Sequence, residues 1–404
     1  MVMLRSFFKQ ILMAVSKIIC CVLCIFPIRK TKIVFYIHGK RGFCGNSKYI
    51  IQKLNERKSP YTVVYATKYP HSVSKKIAED GNFSCVRYPS LRWLYEIQTC
   101  GILITDDGVP EAALKRKGQI YVSSWHGGGT FKKVGLGTAK TRRVQKFLNA
   151  FYRNLDYMTV SCIQNVKDYS KSFLLPEKNI IPLGMPRADL LFDMNKTGNA
   201  VRNVRQKYSV PEKTKIVLIA PTFRKDESSV WNSLLLSEVL CSFKELFGSD
   251  VCFLYRSHYF EKSGHIFDLN INIIDASSYD DVQELVCASS ALLTDYSSIM
   301  YDFALMKKAV FLFQSDLEQY VKNNRSFFMP PQDWPFLRSE NTAELRNSIV
   351  NFNEHSYEQK IESYLKKIGS KDDGTSSARF CDFIDELIRA EGTYPERSAS
   401  GFVH

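Results

Sequence analysis

Several motifs are missing from the 404 residues, and each absence removes a chemistry. There is no G-x-x-x-x-G-K-[ST] loop, no G-x-G-x-x-G turn, no H-E-x-x-H helix and no G-x-S-x-G elbow. P-loop nucleotide hydrolysis, hydride transfer on a dinucleotide, zinc proteolysis and serine-hydrolase chemistry therefore lack their usual parts. The eleven cysteines are scattered, most of them inside apolar runs where small buried hydrophobes belong. The C-x-x-C from Cys21 to Cys24 has no second pair and no nearby histidines to complete a zinc site. That usage fits a reducing, cytoplasmic compartment and calls for neither a metal nor a cofactor.

Long hydrophobic runs are also lacking. The apolar run from Ile18 to Ile28 is 11 residues, against roughly 20 for a spanning helix, and Lys9 and Lys17 interrupt its extension. The following "CIFPIRKTK" offers bulky and basic residues where a signal peptidase needs small ones. What remains for residues 1–30 is an interfacial, membrane-associating helix with Arg5, Lys9, Lys17, Arg29 and Lys30 near lipid headgroups. A buried first helix of the core is the alternative. Acidic residues are in deficit too: 41 Asp and Glu face 55 Lys and Arg, a formal charge of +14. Such a balance favours an anionic partner, whether nucleic acid, an acidic membrane surface or a phosphorylated substrate.

What is present is a repeated alternation. Short β-branched and aromatic runs occur at 32–37, 61–67, 85–89, 101–107, 119–124, 157–162 and 179–184, then at 215–221, 251–258, 272–277, 291–298 and 309–314, with stretches of helical length between them. Continuous apolar runs with such crossovers predict parallel strands buried on both faces, an α/β architecture. The polar segment 193–214 separates the two sets and predicts a division into 31–195 and 196–390, with a flexible tail over 391–404. A ligand cleft is then expected between the sheets, beyond the carboxyl ends of their strands.

Unusual residues collect at those ends. "SSWHGGGTFKKVG" places His126 after a strand, with Gly127 and Gly128 next to it and Lys132 and Lys133 beyond. It reads as a general base beside an anion site, or as a tight turn with a hydrogen-bonded histidine. "APTFRKD" offers Thr222 and the permanently charged fork of Arg224, or a solvated turn. "YRSHYF" brings Arg256 and His258 to one side of an extended chain. "TDYSSIMYDFA" ends a strand in Thr294 and Asp295 and starts a helix at Ser297 and Ser298, suited to capping or to holding phosphate. "LGMPRADLL" carries Pro186 and Arg187 toward the cleft. Asp280 and Asp281 look like ordinary acids in a helix's first turn.

This ordered set, over about residues 119–320, resembles the CDP-glycerol glycerophosphotransferase family of teichoic-acid primases and polymerases and capsule-synthesis relatives. The match departs from the family's usual pattern at Thr130 and Phe223. The resemblance implies a GT-B-like fold, two Rossmann-like domains facing a cleft, and a metal-independent transfer of glycerol phosphate or ribitol phosphate from CDP-glycerol or CDP-ribitol, releasing CMP. The acceptor would be a lipid-linked polyol phosphate or glycan at the cytoplasmic face of the membrane. His126 then matches the base and His258 the group steadying the departing CMP. Thr222, Arg224, Thr294, Ser297 and Ser298 would hold the pyrophosphate, with Arg256 and Asp295 beside them, while Pro186 and Arg187 would line the nucleotide side. A GT-B glycosyltransferase using a nucleotide sugar is the rival enzyme. A non-catalytic membrane or nucleic-acid binder is the other rival, although no nucleic-acid-reading module is recognisable.

Overall fold

A computed structural model of the chain describes residues 2–37, 42–70, 73, 82–110, 112–222, 231, 234–257 and 273–390, with side chains from residue 11 onward. The first-half runs become β1 (Arg29–Tyr36), β2 (Thr62–Thr67), β3 (Phe83–Arg87), β4 (Cys100–Thr105), β5 (Ile120–Ser123), β6 (Tyr157–Val160) and β7 (Ile180–Pro182). The second-half runs become β8 (Lys215–Ile219), β9 (Val251–Tyr255), β10 (Ile273–Asp275), β11 (Ala291–Thr294) and β12 (Ala309–Phe313). One further strand, β13 (Leu337–Ser339), has only three residues and therefore no readable alternation.

All strand pairings among the described residues are parallel, in the orders β3-β2-β1-β4-β5-β6-β7 and β10-β9-β8-β11-β12-β13. Burial explains the composition of the central strands: every residue of β4 is buried, as a strand covered on both faces requires. In both sheets the winding reverses, between β1 and β4 and between β8 and β11. Open parallel sheets bind ligands in the crevice beyond the carboxyl ends at that reversal. The two α/β units and their facing strand ends make the fold GT-B-like.

The helices with bounds among the described residues are α1 (Val2–Leu23), α2 (Gly45–Glu56), α3 (Leu91–Thr99), α4 (Arg142–Tyr152), α5 (Gln164–Phe173), α6 (Met194–Tyr208), α7 (Leu236–Phe247), α8 (Val282–Ala288), α9 (Ile299–Leu305), α10 (Leu317–Asn323), α11 (Thr342–Val350), α12 (Glu354–Ile368) and α13 (Ser376–Arg389). Local chemistry sets several of their starts: Ser90, Thr141, Asp193, Asn341 and Asn353 each accept a bond from a first-turn N–H. The polar stretch expected as a boundary is thus largely the helix α6, capped by Asp193, which buries Ala200 and Val204.

Two segments sit differently from the contiguous division read in the sequence. Helix α13 crosses back to the first sheet, where Phe380, Cys381, Ile384 and Leu387 share a core with Ile33, Phe35 and Ile50. Its apolar residues recur at helical spacing, and they cover sheet surface that α2 alone leaves open. Helix α1 is docked along one face: Cys20 is buried, and Ile19 and Leu23 pack against the core that includes Trp93 of α3. Its other face exposes Ile11, Val15, Ile18 and Val22. Among the described residues no helix is long and apolar enough to cross a membrane.

Phe380 is fully buried between α13 and the first sheet. Phe380→Ala is expected to destabilise the protein by about 3–5 kcal/mol, the cost of a large cavity in a packed core. Chemical denaturation of the purified variant measures it.

Candidate active site

The loop after β5 is built around a strained residue. Trp125 has φ of +35°, a left-handed value that a bulky side chain adopts only when its surroundings insist. Its indole is held edge-on by Tyr169 and Phe173, with ring centroids 5.8 and 4.8 Å away. With the tryptophan turned into the core, the next residue is turned out. His126 is half-buried, and its Nδ1 lies 2.8 Å from the backbone carbonyl oxygen of Asp106 at the end of β4. A carbonyl only accepts, so Nδ1 carries the proton and Nε2 presents the lone pair. That is the tautomer of a general base.

The glycines lie where a side chain would meet close neighbours. A side chain on Gly128 would overlap the ring of Tyr301, which projects from α9 of the second lobe. Gly129 has φ of +70°, which favours glycine, and its amide and carbonyl are bound by Ser161 Oγ and Asn165 Nδ2, each at 2.9 Å. Gly127 would bring a Cβ within 3.0 Å of the Trp125 indole nitrogen. Further along, Lys132 pairs by an antiparallel bridge with Phe327, and the Lys133 amide donates to the Ser326 carbonyl at 2.9 Å. The backbone of this lysine pair is therefore tied to the second lobe, with both side chains half-buried.

Several residues expected to face the donor are directed elsewhere. Arg187 is buried, and its guanidinium meets both carboxylate oxygens of Asp302, at 3.2 and 3.1 Å, and the backbone carbonyl of His126. Its neighbour Pro186 is buried at the start of a 3₁₀ turn, with its carbonyl accepting from Ser377 Oγ at 3.2 Å. Thr294 is buried and donates to the Ala220 carbonyl at 2.6 Å. Asp295 is buried as well, and its carboxylate accepts from the amide of Thr222 at 2.9 Å. These two side chains brace the turn after β8. Short polar groups at adjacent parallel strand ends satisfy each other's backbone in this way. Arg256 donates to the carbonyls of Ala276 and Tyr279, at 3.3 and 2.7 Å, and burial lowers its pKa.

Ser297 and Ser298 keep the expected position. They are half-buried at the start of α9, where Ser298 is the N-cap residue but makes no side-chain cap bond. Thr222 stands beside them at the end of β8, held through Asp295. Arg224 and His258 lie outside the described residues.

Sequence reasoning missed a residue that braces the His126 loop and another that binds the lobes together. Asn46 donates to the carbonyls of Ser124 and Trp125, at 2.7 and 2.6 Å, while its Oδ1 accepts from the Arg187 amide at 3.2 Å. Asp281, read as an ordinary first-turn acid, caps α8 and takes both Lys48 and Tyr49 of the first lobe at 2.8 Å. Burial pushes its carboxyl up, but Lys48, Tyr49 and the Gln283 amide outweigh this and hold it below the usual range. For Asp302 burial prevails over Arg187, and its pKa is raised. Asp372 is driven up to about 7 by burial, although Met185 N–H and Tyr301 O–H both donate to it. A separate polar cavity of about 460 Å³ opens among α2, α6 and α8 and includes Lys48, Gln52, Asn199, Asn203 and Glu284, but none of the candidate residues lines it.

Gly128→Ala should cost about 1–3 kcal/mol, because the methyl group overpacks a filled contact. Thermal unfolding checks this, and combining it with Tyr301→Ala is expected to recover part of the loss.

Comparison with known proteins agrees with this fold. A 25% identical relative over 377 residues is the teichoic acid poly(glycerol phosphate) polymerase of Staphylococcus epidermidis, matched over 90% of this chain and 52% of the relative. The chain thus spans about half the length of that polymerase. The teichoic acid ribitol-phosphate primase of Bacillus spizizenii is 26% identical over 375 residues, 90% of this chain and 92% of the primase. Among solved structures, the wall teichoic acid polymerase TagF superposes with a TM-score of 0.78 at 23% identity, over 96% of this chain and 97% of that one, and shares the fold. The model of the CDP-glycerol:poly(glycerophosphate) glycerophosphotransferases matches residues 18–386. The chain belongs to this glycerophosphotransferase family.

Proposed function

We propose that the chain transfers a polyol phosphate, glycerol phosphate or ribitol phosphate, from its CDP-activated form to a hydroxyl of a membrane-linked acceptor. The observation that carries the reading is His126, whose ring is fixed through Nδ1, so that Nε2 is the nitrogen bearing the lone pair. In the step, Nε2 takes the acceptor's hydroxyl proton as the oxygen attacks the phosphorus bearing the polyol. The bond from that phosphorus to the CMP oxygen breaks, and CMP leaves. Such transfers depend on positioning and charge neutralisation more than on covalent help from the protein. Thr222, Ser297 and Ser298 supply hydroxyls at the reversal point of the second sheet, and Arg224 and His258 are assigned there from the sequence. A TagF form soaked with CDPG shares the fold, which supports a CDP-linked donor. The net charge of +14 suits a donor, a growing polymer and a lipid surface that are all anionic.

His126→Gln is expected to lower CMP release from CDP-glycerol and from CDP-ribitol by about 10²–10⁴-fold, the usual worth of a positioned base. Release of UDP from a nucleotide sugar instead would overturn the reading.

The same reading places the enzyme on the cytoplasmic face of the membrane through α1. Its exposed Ile11, Val15, Ile18 and Val22 follow a spacing of four, three and four, which puts them on one stripe of the helix. Each such side chain is worth roughly 1.5–3 kcal/mol when removed from water. Ile18→Glu with Val22→Glu should therefore weaken binding to anionic phospholipid vesicles at least about tenfold while leaving the unfolding temperature unchanged. Co-flotation with vesicles measures it, and undiminished flotation would sink the assignment.

A further inference from the structure

We infer that Arg187 and Asp302 form a positioning pair for the base, so that His126 takes its working orientation only when the second lobe is in place. The inference rests on the reading of His126 as that base. The histidine is held at two points. Its ring is fixed by the Asp106 carbonyl, which belongs to the first lobe. Its own carbonyl is held by Arg187 Nη1, and Arg187 is oriented in turn by both oxygens of Asp302. Asp302 lies on α9, in the second lobe.

The geometry needs an arginine. One terminal nitrogen of the planar fork, Nη2, serves the carboxylate and the other, Nη1, a carbonyl, an arrangement that a lysine ammonium on a flexible stem does not reproduce. Asn46 sets the base of the same side chain, bonding the Arg187 amide and the two carbonyls just before His126. The pair is sealed from water, with side-chain exposures of 9% for Arg187 and 2% for Asp302, so bulk solvent does not substitute for either partner. Helix α9 also begins at Ser298, with Ser297 before it. One short helix therefore carries the donor-side hydroxyls at its start and the anchor of the base within its body. Movement at one end is transmitted to the other without an intervening loop.

Steady-state kinetics of the full chain, with CDP-glycerol and a synthetic glycerol-phosphate lipid as acceptor, test the pair. Asp302→Asn is expected to lower kcat about 10- to 100-fold, as a displacement near 1 Å does, with the donor KM changed by less than about threefold. Arg187→Ala should lose kcat and regain part of it in millimolar guanidinium, but not in ammonium. In a His126→Ala background, Asp302→Asn should add no further loss, because both act through one group. Circular dichroism at the assay temperature verifies that each variant is folded, and if Asp302→Asn is not, guanidinium rescue of Arg187→Ala decides. Full activity of Asp302→Asn beside an inactive His126→Ala would overturn the inference and leave the base reading intact. An active His126→Ala would overturn the base reading itself. Losses that simply add, or a folded Arg187→Ala that guanidinium fails to restore, would reduce the pair to a structural ion pair.

Discussion

The ring of Tyr301 occupies the space that a side chain at Gly128 would need, and one residue later Asp302 closes on Arg187. Most features of the site follow from this meeting of a glycine loop and a short helix. The loop must be glycine-rich because the helix comes so close. The arginine must be partnered because it is buried there, and an unpaired guanidinium in such a place is costly. His126 inherits its orientation from both. Chemical function at this position is thus inseparable from the contact between the lobes.

The same interface decides how its carboxylates behave. Asp281 faces a lysine, a tyrosine hydroxyl and a backbone amide, and their combined pull outweighs its burial. Asp302 has one strong partner, and burial wins. Asp372 is bonded by two neutral donors and sits near Asp302, and burial carries it up to about 7. Similar residues a short distance apart reach different protonation behaviour because the number and charge of their donors differ. Position along the helix or strand would not have distinguished them.

Local signals in the sequence were legible wherever the controlling interaction was local. Continuous apolar runs identified twelve strands, since a parallel strand buried on both faces advertises itself in composition; β13 did not, being three residues long. His126 was legible because a histidine and glycines at a strand end are an unusual juxtaposition. Asp281 was not legible as a bridging residue, nor Asn46 as the anchor of the His126 loop, since their partners lie 233 and 78 residues away. Arg187 looked like a cleft arginine for the same reason: its carboxylate is 115 residues distant. Thr294 and Asp295 mark the strand-end region correctly, yet their hydrogen bonds are used within the framework. Helix α13 joined the wrong neighbours in the linear reading because chain order does not report which sheet face is bare.

The return of α13 has a mechanical side. To reach the first sheet the chain crosses between the lobes a second time, and this crossing runs beside the first. Met185 is bonded to Asp372, Pro186 to Ser377 and Leu183 to Arg379, so outgoing and returning segments are stitched together. Two adjacent strands of backbone define a line, and rotation about that line is the motion they oppose least. Twisting or sliding of one lobe over the other would have to shear the stitches. The double crossing lies beside Arg187 and so adds to the contact with Asp302 in fixing how the lobes meet.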